Sequence, residues 1–454
     1  MKFKTTLILL AVFILLLAAV LVFEPKKGKE TAAKEEKLVD LAAADLERIT
    51  LKKEDETISF RKDEMGDWQI IEPVEAKADP YEVNRLAEDF SSLKIERVVE
   101  SEAKDTVQYE IPKTEVSLWL KGQDNPVKVL IGMENRLDST FYAKKEGESR
   151  VVLIPSLLKS LLEKKTFDFR QKDVFKFETA DVTAVDFRVK DIVWKAAKKD
   201  EAWLLEKPVQ ALAKKSRLDD LLNALANMKA KEFVAEEKKP EEIEKFGLKK
   251  PEYSVSLSLP SKSQEIVFGL HKEGETSYAT TSLSTKIISV EAQVLTDLEK
   301  KVDDLREKLA VVFNSWEAKR IWLKTGGLEI GAAKDKDNKW SFEPGLKEEA
   351  DGSKVESFIR KVEGLEASEF IDQPGDLKSF GLDRPQAEIT IRVQEAEGKE
   401  KEVRLFVGSE DTAQKKVVVR NPELAYLFRV DSGFLSDVPK EAKDWKSPEP
   451  EIKK

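Results

Sequence analysis

Three tryptophans mark a unit that recurs along the chain, and this recurrence constrains the fold more than any other feature. Each tryptophan closes a short strand-like run, a proline follows within five residues, and an aromatic or β-branched pair begins thirty residues after the tryptophan. The copies are Trp68, Trp203 and Trp340; Pro73, Pro208 and Pro344; and Val98, Phe233 and Phe370. A fixed repeat indicates an array of similar modules, so the chain cannot be interpreted as one large enzyme fold.

The length of the chain agrees with three modules. Its 454 residues exceed one ordinary core, and a hydrophobic content of 41% is enough to fill several cores. The predicted boundaries are a cytoplasmic N-terminus (1–4), a transmembrane anchor (5–23), a tether (24–44), module 1 (45–177), module 2 (178–314), module 3 (315–446) and a disordered tail (447–454).

The first residues predict a membrane anchor. Lys2 and Lys4 precede the uncharged apolar run 5–23, which as a helix would span about 28 Å, close to the hydrocarbon thickness of a bilayer. A cleaved signal peptide, which usually has a shorter apolar region, is the alternative. Because a very short N-terminus usually stays in the cytoplasm, we expect a single-pass protein of the inner (cytoplasmic) membrane with the bulk of the chain extracytoplasmic. A scaffold that faces the cytoplasm is the alternative orientation.

Within each module the apolar pattern changes from a period of two to a period of 3.6. The period-two segments predict a three-stranded antiparallel meander that ends at the tryptophan strand, where the proline stops the ladder. A helix with one apolar stripe follows, formed in module 2 by Leu218, Leu221, Leu222 and Leu225. More strands and a closing helix complete the module. The predicted fold class is α+β: an N-terminal transmembrane helix, then three tandem repeats, each a mostly antiparallel sheet with two helices.

A second signature lies in the latter half of each module. It comprises Phe246, Gly247, Leu248 and Pro251 in module 2, and Phe380, Gly381, Leu382 and Pro385 in module 3. Module 1 has Tyr109, Glu110 and Ile111 instead, with Thr114 at the place of the proline. We interpret the glycine as a position that needs a positive φ between two buried side chains.

These elements together resemble a known family. The anchor, the W-x-x-x-x-P and F-G-L-x-x-P elements and a closing D-x-R-x-K stretch at 168–172 and 304–308 resemble the bacterial domain-of-unknown-function 4340 family. Module 3 lacks the D-x-R-x-K motif. The resemblance covers nearly all of the chain after residue 40. It implies an envelope protein associated with ABC transporters of the gliding-motility type, and it implies no catalytic residue.

Composition excludes several kinds of site. The chain has no cysteine, which excludes disulfides, cysteine nucleophiles and thiolate metal sites, and its single histidine cannot form a histidine metal cluster. A net charge of −9 makes nucleic acid an unsuitable partner. We therefore predict no catalytic residue, no cofactor and no metal.

The remaining local motifs have structural interpretations. His271 lies in a polar loop, and Asp335, Asp337 and Asn338 lack the glycine and glutamate of a calcium loop, so we interpret them as a hairpin turn. The Ser156 to Lys159 spacing of a Ser-Lys dyad lacks companion motifs, and a capping serine is the ordinary explanation. The heptad-like run Leu295, Leu298, Val302, Leu305 and Leu309 is too short for a coiled coil and predicts a closing helix or a module joint. The repeated tryptophans, which could bind a ligand by stacking, are predicted to lie in the cores.

The predicted function is that of a non-enzymatic interaction scaffold. A membrane-anchored extracytoplasmic array presents a long surface, and the resemblance makes an ABC-type transport complex the expected partner. The alternative is an envelope ligand-binding protein or hydrolase with a pocket between modules. The alternative predicts a deep cleft in which acidic residues of two modules converge. The scaffold predicts shallow grooves and exposed apolar surface.

Overall fold

A computed structural model describes residues 36–446, except 191, 201, 261–262, 272–275, 300, 344–348 and 395–398. The described residues fall into two compact units that divide between Lys172 and Asp173. Residues 45–172 of module 1 lie in the first unit, whereas its last predicted residues, 173–177, lie in the second unit with modules 2 and 3.

The first unit contains one nine-stranded antiparallel sheet. Its strands are β1 (Leu46–Lys52), β2 (Thr57–Lys62), β3 (Trp68–Glu72), β4 (Ala76–Lys77), β5 (Arg97–Glu100), β6 (Thr114–Leu120), β7 (Val127–Glu134), β8 (Phe141–Lys145) and β9 (Val151–Ile154). Their order across the sheet is β4-β3-β2-β1-β6-β7-β8-β9-β5. One long helix, Pro80–Ser91, connects the two edge strands β4 and β5, and short helices at Lys159–Leu162 and Thr166–Phe169 close the module.

The second unit contains two sheets of the same design. The strands of module 2 are β10 (Ala184–Val189), β11 (Ile192–Lys199), β12 (Ala202–Lys207), β13 (Ala211–Leu212), β14 (Glu232–Ala235), β15 (Tyr253–Ser258), β16 (Ser263–His271), β17 (Thr276–Thr281) and β18 (Ile287–Glu291). Those of module 3 are β19 (Ala318–Thr325), β20 (Leu328–Lys334), β21 (Trp340–Glu343), β22 (Glu369–Ile371), β23 (Ala387–Gln394), β24 (Glu400–Asp411), β25 (Lys416–Arg420) and β26 (Leu427–Asp431). The long helices are Lys215–Ala226 and Gly352–Glu363, and the shorter ones are Pro240–Lys245, Gln293–Leu298, Val302–Leu305 and Phe434–Asp437.

The strand orders of all three sheets coincide. Module 2 runs β13-β12-β11-β10-β15-β16-β17-β18-β14, and module 3 runs β21-β20-β19-β23-β24-β25-β26-β22, which lacks only a counterpart of the two-residue strand β4 among the described residues. The predicted meander is therefore half of a larger sheet, whose second half is formed by the segments after the long helix. The threefold repeat of the chain is confirmed.

Each long helix packs its predicted apolar stripe against one face of its sheet. In module 2, Leu218, Leu221, Leu222 and Leu225 are all buried. Asp79 and Asp351 are the N-cap residues of the long helices of modules 1 and 3, and their carboxylates accept hydrogen bonds from the first backbone amides. Module 2 has Lys214 at this place, and its helix has no side-chain cap.

The prediction of α+β modules with two helices each is wrong. Strand accounts for 41% of the residues and helix for 22%, so the modules are sheets with few helices. The predicted closing helix of module 2 is instead two short helices, Gln293–Leu298 and Val302–Leu305, and Leu298 and Leu305 are both buried in the core. No helix among the described residues is long and apolar enough to cross a membrane.

Several predicted segments fall partly or wholly beyond the described residues. These are the N-terminus (1–4), the anchor (5–23), most of the tether and the tail (447–454). Residues 36–44, predicted as the end of the tether, lie against module 1, where Leu38 and Val39 are buried.

Candidate functional site

The repeated tryptophans lie inside the modules. Trp68, Trp203 and Trp340 have exposed fractions of 4%, 1% and 2%. A lysine ammonium from the preceding strand lies 5.0 to 5.3 Å from each ring centroid; these lysines are Lys62, Lys198 and Lys334. Because each ring is buried and partly covered by a cation, it is not available as a stacking platform for a ligand.

The indole nitrogens differ between modules. The Nε1 of Trp68 donates to Asn84 Oδ1 at 2.9 Å, and that of Trp340 donates to Glu356 Oε1 at 3.2 Å. The Nε1 of Trp203 has no acceptor among the described residues, because Asp219 at the equivalent helix position pairs with a lysine instead. In modules 1 and 3 the tryptophan therefore connects the long helix to the sheet by a hydrogen bond as well as by packing.

The predicted prolines lie next to the tryptophan strands. Pro73 and Pro208 are exposed and follow cis peptide bonds after β3 and β12. Pro344 lies outside the described residues. Pro251 and Pro385 are half-buried, and each lies two residues before the first residue of β15 or β23.

The F-G-L elements form a loop that covers the second face of each sheet. Gly247 and Gly381 have φ values of 71° and 65°, as the sequence interpretation expects. Phe246, Leu248 and Leu382 are buried and Phe380 is half-buried in small clusters separate from the main cores. In module 1, Glu110 adopts the same left-handed conformation at φ 53° without being a glycine.

A second glycine explains how closely this loop approaches the sheet. A Cβ at Gly132, Gly269 or Gly408 would lie 2.0 to 2.2 Å from the carbonyl oxygen of Tyr109, Phe246 or Phe380. No side chain fits in that space. The sequence pattern indicated strands that end at these glycines. In the structure the strands continue for two or three more residues.

The other candidate motifs are structural in the described residues. His271 ends β16, and the turn that begins at Asp335 connects β20 to β21, with the Asp335 carboxylate accepting from two backbone amides. Lys159 pairs with Glu134 at 2.9 Å, and this hydrogen bond raises the pKa of Lys159, so the lysine is protonated and cannot act as the base of a Ser156 dyad. Ser156 makes no side-chain cap.

The joint between modules 2 and 3 is built around Arg306, from the D-x-R-x-K stretch. Its side chain is 1% exposed, and its Cζ lies 3.7 Å from the ring centroid of Phe370 and 4.7 Å from that of Tyr426. The Nη2 lies 2.7 Å from Asp372 Oδ1, and Nη1 lies 3.5 Å from Asp303 Oδ1. Within the described part of the chain, neither Nε nor Nη2 has a hydrogen-bond acceptor, so the contact with Asp372 is an ion pair without hydrogen-bond geometry. A module 2 cation is thus buried between two aromatic rings of module 3.

Tyr426 adds a backbone connection across the same joint. Its hydroxyl oxygen accepts a hydrogen bond from the Leu212 amide at 3.3 Å, and the Leu212 carbonyl accepts from the Glu307 amide at 2.8 Å. Burial raises the pKa of Tyr426, so the phenol is protonated at neutral pH. The outward-facing polar groups of edge strand β13 are therefore paired by the joint. One continuous hydrophobic core extends through modules 2 and 3.

Beside this joint lies a groove with apolar walls. It encloses about 400 Å³ between β11 to β13 of module 2 and the β25–β26 connection of module 3. Its apolar lining includes Leu204, Leu212, Leu424 and Tyr426, and Lys199 and Glu423 stand exposed at its edges. The groove is open to solvent.

The lining offers binding surface rather than a catalytic constellation. Glu206 and Glu423 are the acidic residues of the lining, one from each module, and both are exposed. No group of three His, Asp or Glu side chains that could hold a metal ion occurs in the described part of the chain. The chemistry that these residues provide is contact with an apolar segment, with charges at the rim.

Sequence reasoning predicted a closing helix or a module joint in the leucine-rich run and kept a pocket between modules as an alternative, but it did not identify the residues that form the joint and the groove. In the sequence the D-x-R-x-K stretch is only a repeated motif, and no local sequence pattern connects Arg306 with Phe370 or Tyr426. The one available signal was a charged residue at a fixed place in two modules. The structural counterpart in module 3 is Lys446, since the Trp445 carbonyl accepts from Asp351 as the Leu305 carbonyl accepts from Lys214.

The fold and joint define a class of protein: tandem repeats of one antiparallel sheet, each backed by a helix. The sequence matches the family described as "Domain of unknown function (DUF4340)" over residues 68–240, 203–373 and 340–450. The chain belongs to this family. Each match begins at a repeated tryptophan, and successive matches overlap, because the tryptophan strand and long helix recur at both ends of the matched unit.

Comparison with solved structures gives weak similarities. A DNA polymerase sliding clamp from Pseudomonas aeruginosa, crystallised with ligand, aligns with 87% of this chain and 93% of its own at 9% identity and a TM-score of 0.17. A sliding clamp from Caulobacter crescentus aligns with 84% and 90% at 8% identity and a TM-score of 0.15. TM-scores this low do not establish a common fold. A search of curated proteins gives no match.

Proposed function

We propose that this protein is a non-enzymatic interaction scaffold that binds an apolar segment of a partner protein in the groove between modules 2 and 3. The observation that carries the proposal is the groove itself, whose walls come from two modules. Leu204, Leu212 and Leu424 are only partly buried there, so they offer apolar surface to a partner.

The construction of the joint favours binding without rearrangement. Arg306 and Tyr426 connect the two modules by cation–π contacts and a hydrogen bond to the backbone. A groove whose walls are held together before binding has less conformational entropy to lose when a partner enters.

The location and the partner follow from the sequence. The apolar residues 5–23 favour attachment to the inner membrane with the bulk of the chain extracytoplasmic. The family resemblance makes subunits of an ABC-type transport complex the partner that we propose. An accessory subunit attached to the same membrane needs little affinity per contact, since attachment keeps its local concentration high.

The experiment is photo-crosslinking in intact membranes with the full, tagged chain. A benzophenone amino acid replaces Leu204 in the groove, and in the control it replaces Ile192, which is 57% exposed in the same module but does not line the groove. We expect transporter subunits crosslinked from position 204 and not from position 192. Equal crosslinking from both positions, or none from either, contradicts the proposal.

The groove also supports a second candidate function. Its volume of about 400 Å³ is in the range of small-molecule sites, which is the observation favouring an envelope ligand-binding protein or hydrolase. In that case purified protein without a partner retains or converts a small apolar compound, and Leu204→Glu abolishes the effect. A scaffold gives neither result.

A further inference from the structure

Each module has a slot that receives an extended segment just after its long helix. In module 3 the segment is 308–311, from the end of module 2. The Ala310 amide donates to the Leu365 carbonyl at 2.9 Å, the Ala367 amide donates to the Lys308 carbonyl at 2.7 Å, and Leu309 forms an antiparallel bridge with Glu366. Ala310 and Val311 are buried.

Module 2 has the same slot. The Val174 amide donates to the Met228 carbonyl at 3.1 Å, and Asp173 forms an antiparallel bridge with Lys229. Phe175 is buried against the core. The occupant is again the stretch of chain that directly precedes the module.

In module 1 the slot is filled by residues of the predicted tether rather than by the end of another module. The Leu38 amide donates to the Leu93 carbonyl at 2.8 Å, the Ile95 amide donates to the Glu36 carbonyl at 2.9 Å, and Lys37 bridges Lys94. Leu38 and Val39 are 2% and 1% exposed. Backbone pairing and burial match those of module 3.

Ionic contacts fix this occupant differently from the occupant of module 3. Arg150 directly precedes β9, as Tyr426 directly precedes β26, and it pairs with Glu148 at 2.7 Å and with Glu36. The hydrogen bonds that Arg150 donates to these two carboxylates raise the pKa of its guanidinium. In module 3 the cation is Arg306, two residues before the incoming segment, whereas in module 1 the incoming segment carries the anion Glu36.

We propose that residues 36–39 are a docking strand, which replaces the closing segment of a preceding module and shortens the tether of module 1. Without docking, the chain between the apolar run and module 1 would comprise residues 24–44 and could reach about 70 Å when extended. With docking, only residues 24–35 remain, and their reach is about 40 Å. The statement about reach rests on the proposed membrane attachment, but the docking itself does not.

The test uses single-cysteine variants of the full chain, which has no cysteine of its own. Leu38→Cys reports on the slot, and Met65→Cys, at a side chain that is 92% exposed, is the control. We expect a maleimide to label position 38 about 100-fold more slowly than position 65, because labelling requires the strand to open. Equal labelling rates overturn the proposal.

A charge exchange tests the specificity of docking. In the Leu38→Cys background, Glu36→Arg and Arg150→Glu should each accelerate labelling about 10-fold, and the double exchange should restore slow labelling. If neither single exchange accelerates labelling, the ionic contact does not hold the strand. Hydrogen exchange of the Leu38 amide in the unmodified chain checks the result without a substitution in the slot, and an unprotected amide overturns the proposal.

These measurements are made on detergent-purified protein with no partner present. A protected strand together with failed crosslinking in membranes would overturn the proposed function and leave docking intact. Crosslinking from the groove together with an unprotected strand would do the reverse.

Discussion

The guanidinium carbon of Arg306 lies 3.7 Å from the centroid of the Phe370 ring, so a cation from module 2 is buried against an aromatic ring of module 3. Asp372, two residues after Phe370, supplies the counter-charge at 2.7 Å. A buried charge is tolerated only where it is paired, and the pairing of Arg306 with Asp372 exists only when the two modules are in contact. This relationship makes modules 2 and 3 one structural unit.

Removal of Arg306 should therefore destabilise the second unit. We expect Arg306→Ala to lower the free energy of unfolding by about 3 kcal/mol, because it removes a buried side chain and its two cation–π contacts. Urea denaturation followed by circular dichroism measures the change. The matched control is Arg188→Ala, an exposed arginine of module 2, which should cost less than about 0.5 kcal/mol. Similar effects of the two substitutions would show that the joint does not depend on Arg306.

The glycine beneath the F-G-L loop should tolerate no side chain. Gly269→Ala places a Cβ 2.0 Å from the Phe246 carbonyl oxygen and should cost about 3 kcal/mol or more. Gly364→Ala is the control, since its Cβ would meet its nearest atom at 3.4 Å and its φ is −85°. That substitution should be neutral or stabilise by up to about 1 kcal/mol. Thermal unfolding of both variants gives the comparison, and a stable Gly269→Ala protein would contradict the packing described for the loop.

The uncapped helix of module 2 can be improved. Lys214 occupies the place of Asp79 and Asp351, whose carboxylates cap the other two long helices. Lys214→Asp should raise the free energy of unfolding by about 1 kcal/mol, measured by urea denaturation. Lys214→Ala, which removes the lysine without adding a cap, is the control. Equal stability of the two variants would show that the aspartate does not cap this helix.

Module 3 should lose stability in acid through Glu356. The hydrogen bond from Lys334, and a further one from Trp340, lower the pKa of Glu356 below 4.5. A carboxyl group with a depressed pKa in the folded state contributes stability above its unfolded pKa, and the contribution disappears as pH falls through the folded pKa. Glu356→Gln should thus be less stable than the natural protein at pH 6, with a difference that shrinks below about pH 4.5. Urea denaturation across this pH range measures it, and a difference independent of pH would refute the role of Glu356. Glu329→Gln, an exposed change of the same charge in module 3, is the control.

Sequence reasoning predicted the features that are encoded locally. The tryptophans, the apolar stripe of each long helix and the glycines at positive φ recur at fixed spacings, since each depends on neighbours within a few residues. The division of the closing helix of module 2 into two short helices could not be predicted, because Leu298 and Leu305 both fit the apolar spacing of a single helix, and both are buried. The heptad spacing of their leucines indicated one helix, and the structure has two.

The joint and the docking strand were beyond such reasoning for a different reason. Arg306 meets Phe370 and Tyr426 across more than sixty residues, and Leu38 meets Leu93 after an entire helix and four strands. No periodicity relates these positions. In the sequence, Arg306 is recognisable only as part of a repeated motif, and Leu38 only as part of a predicted tether.

The central claim, that the groove of modules 2 and 3 binds a membrane partner, is tested most directly by quantitative pull-down of the full chain from membranes. The groove variant carries Leu204→Glu and Leu424→Glu, and the matched variant carries Ile192→Glu and Leu283→Glu, which alter two exposed apolar residues of module 2. We predict that the groove variant loses at least about 90% of the recovered transporter subunits, a change of 1.4 kcal/mol or more in binding, while the matched variant retains them. Full recovery with the groove variant would contradict the claim.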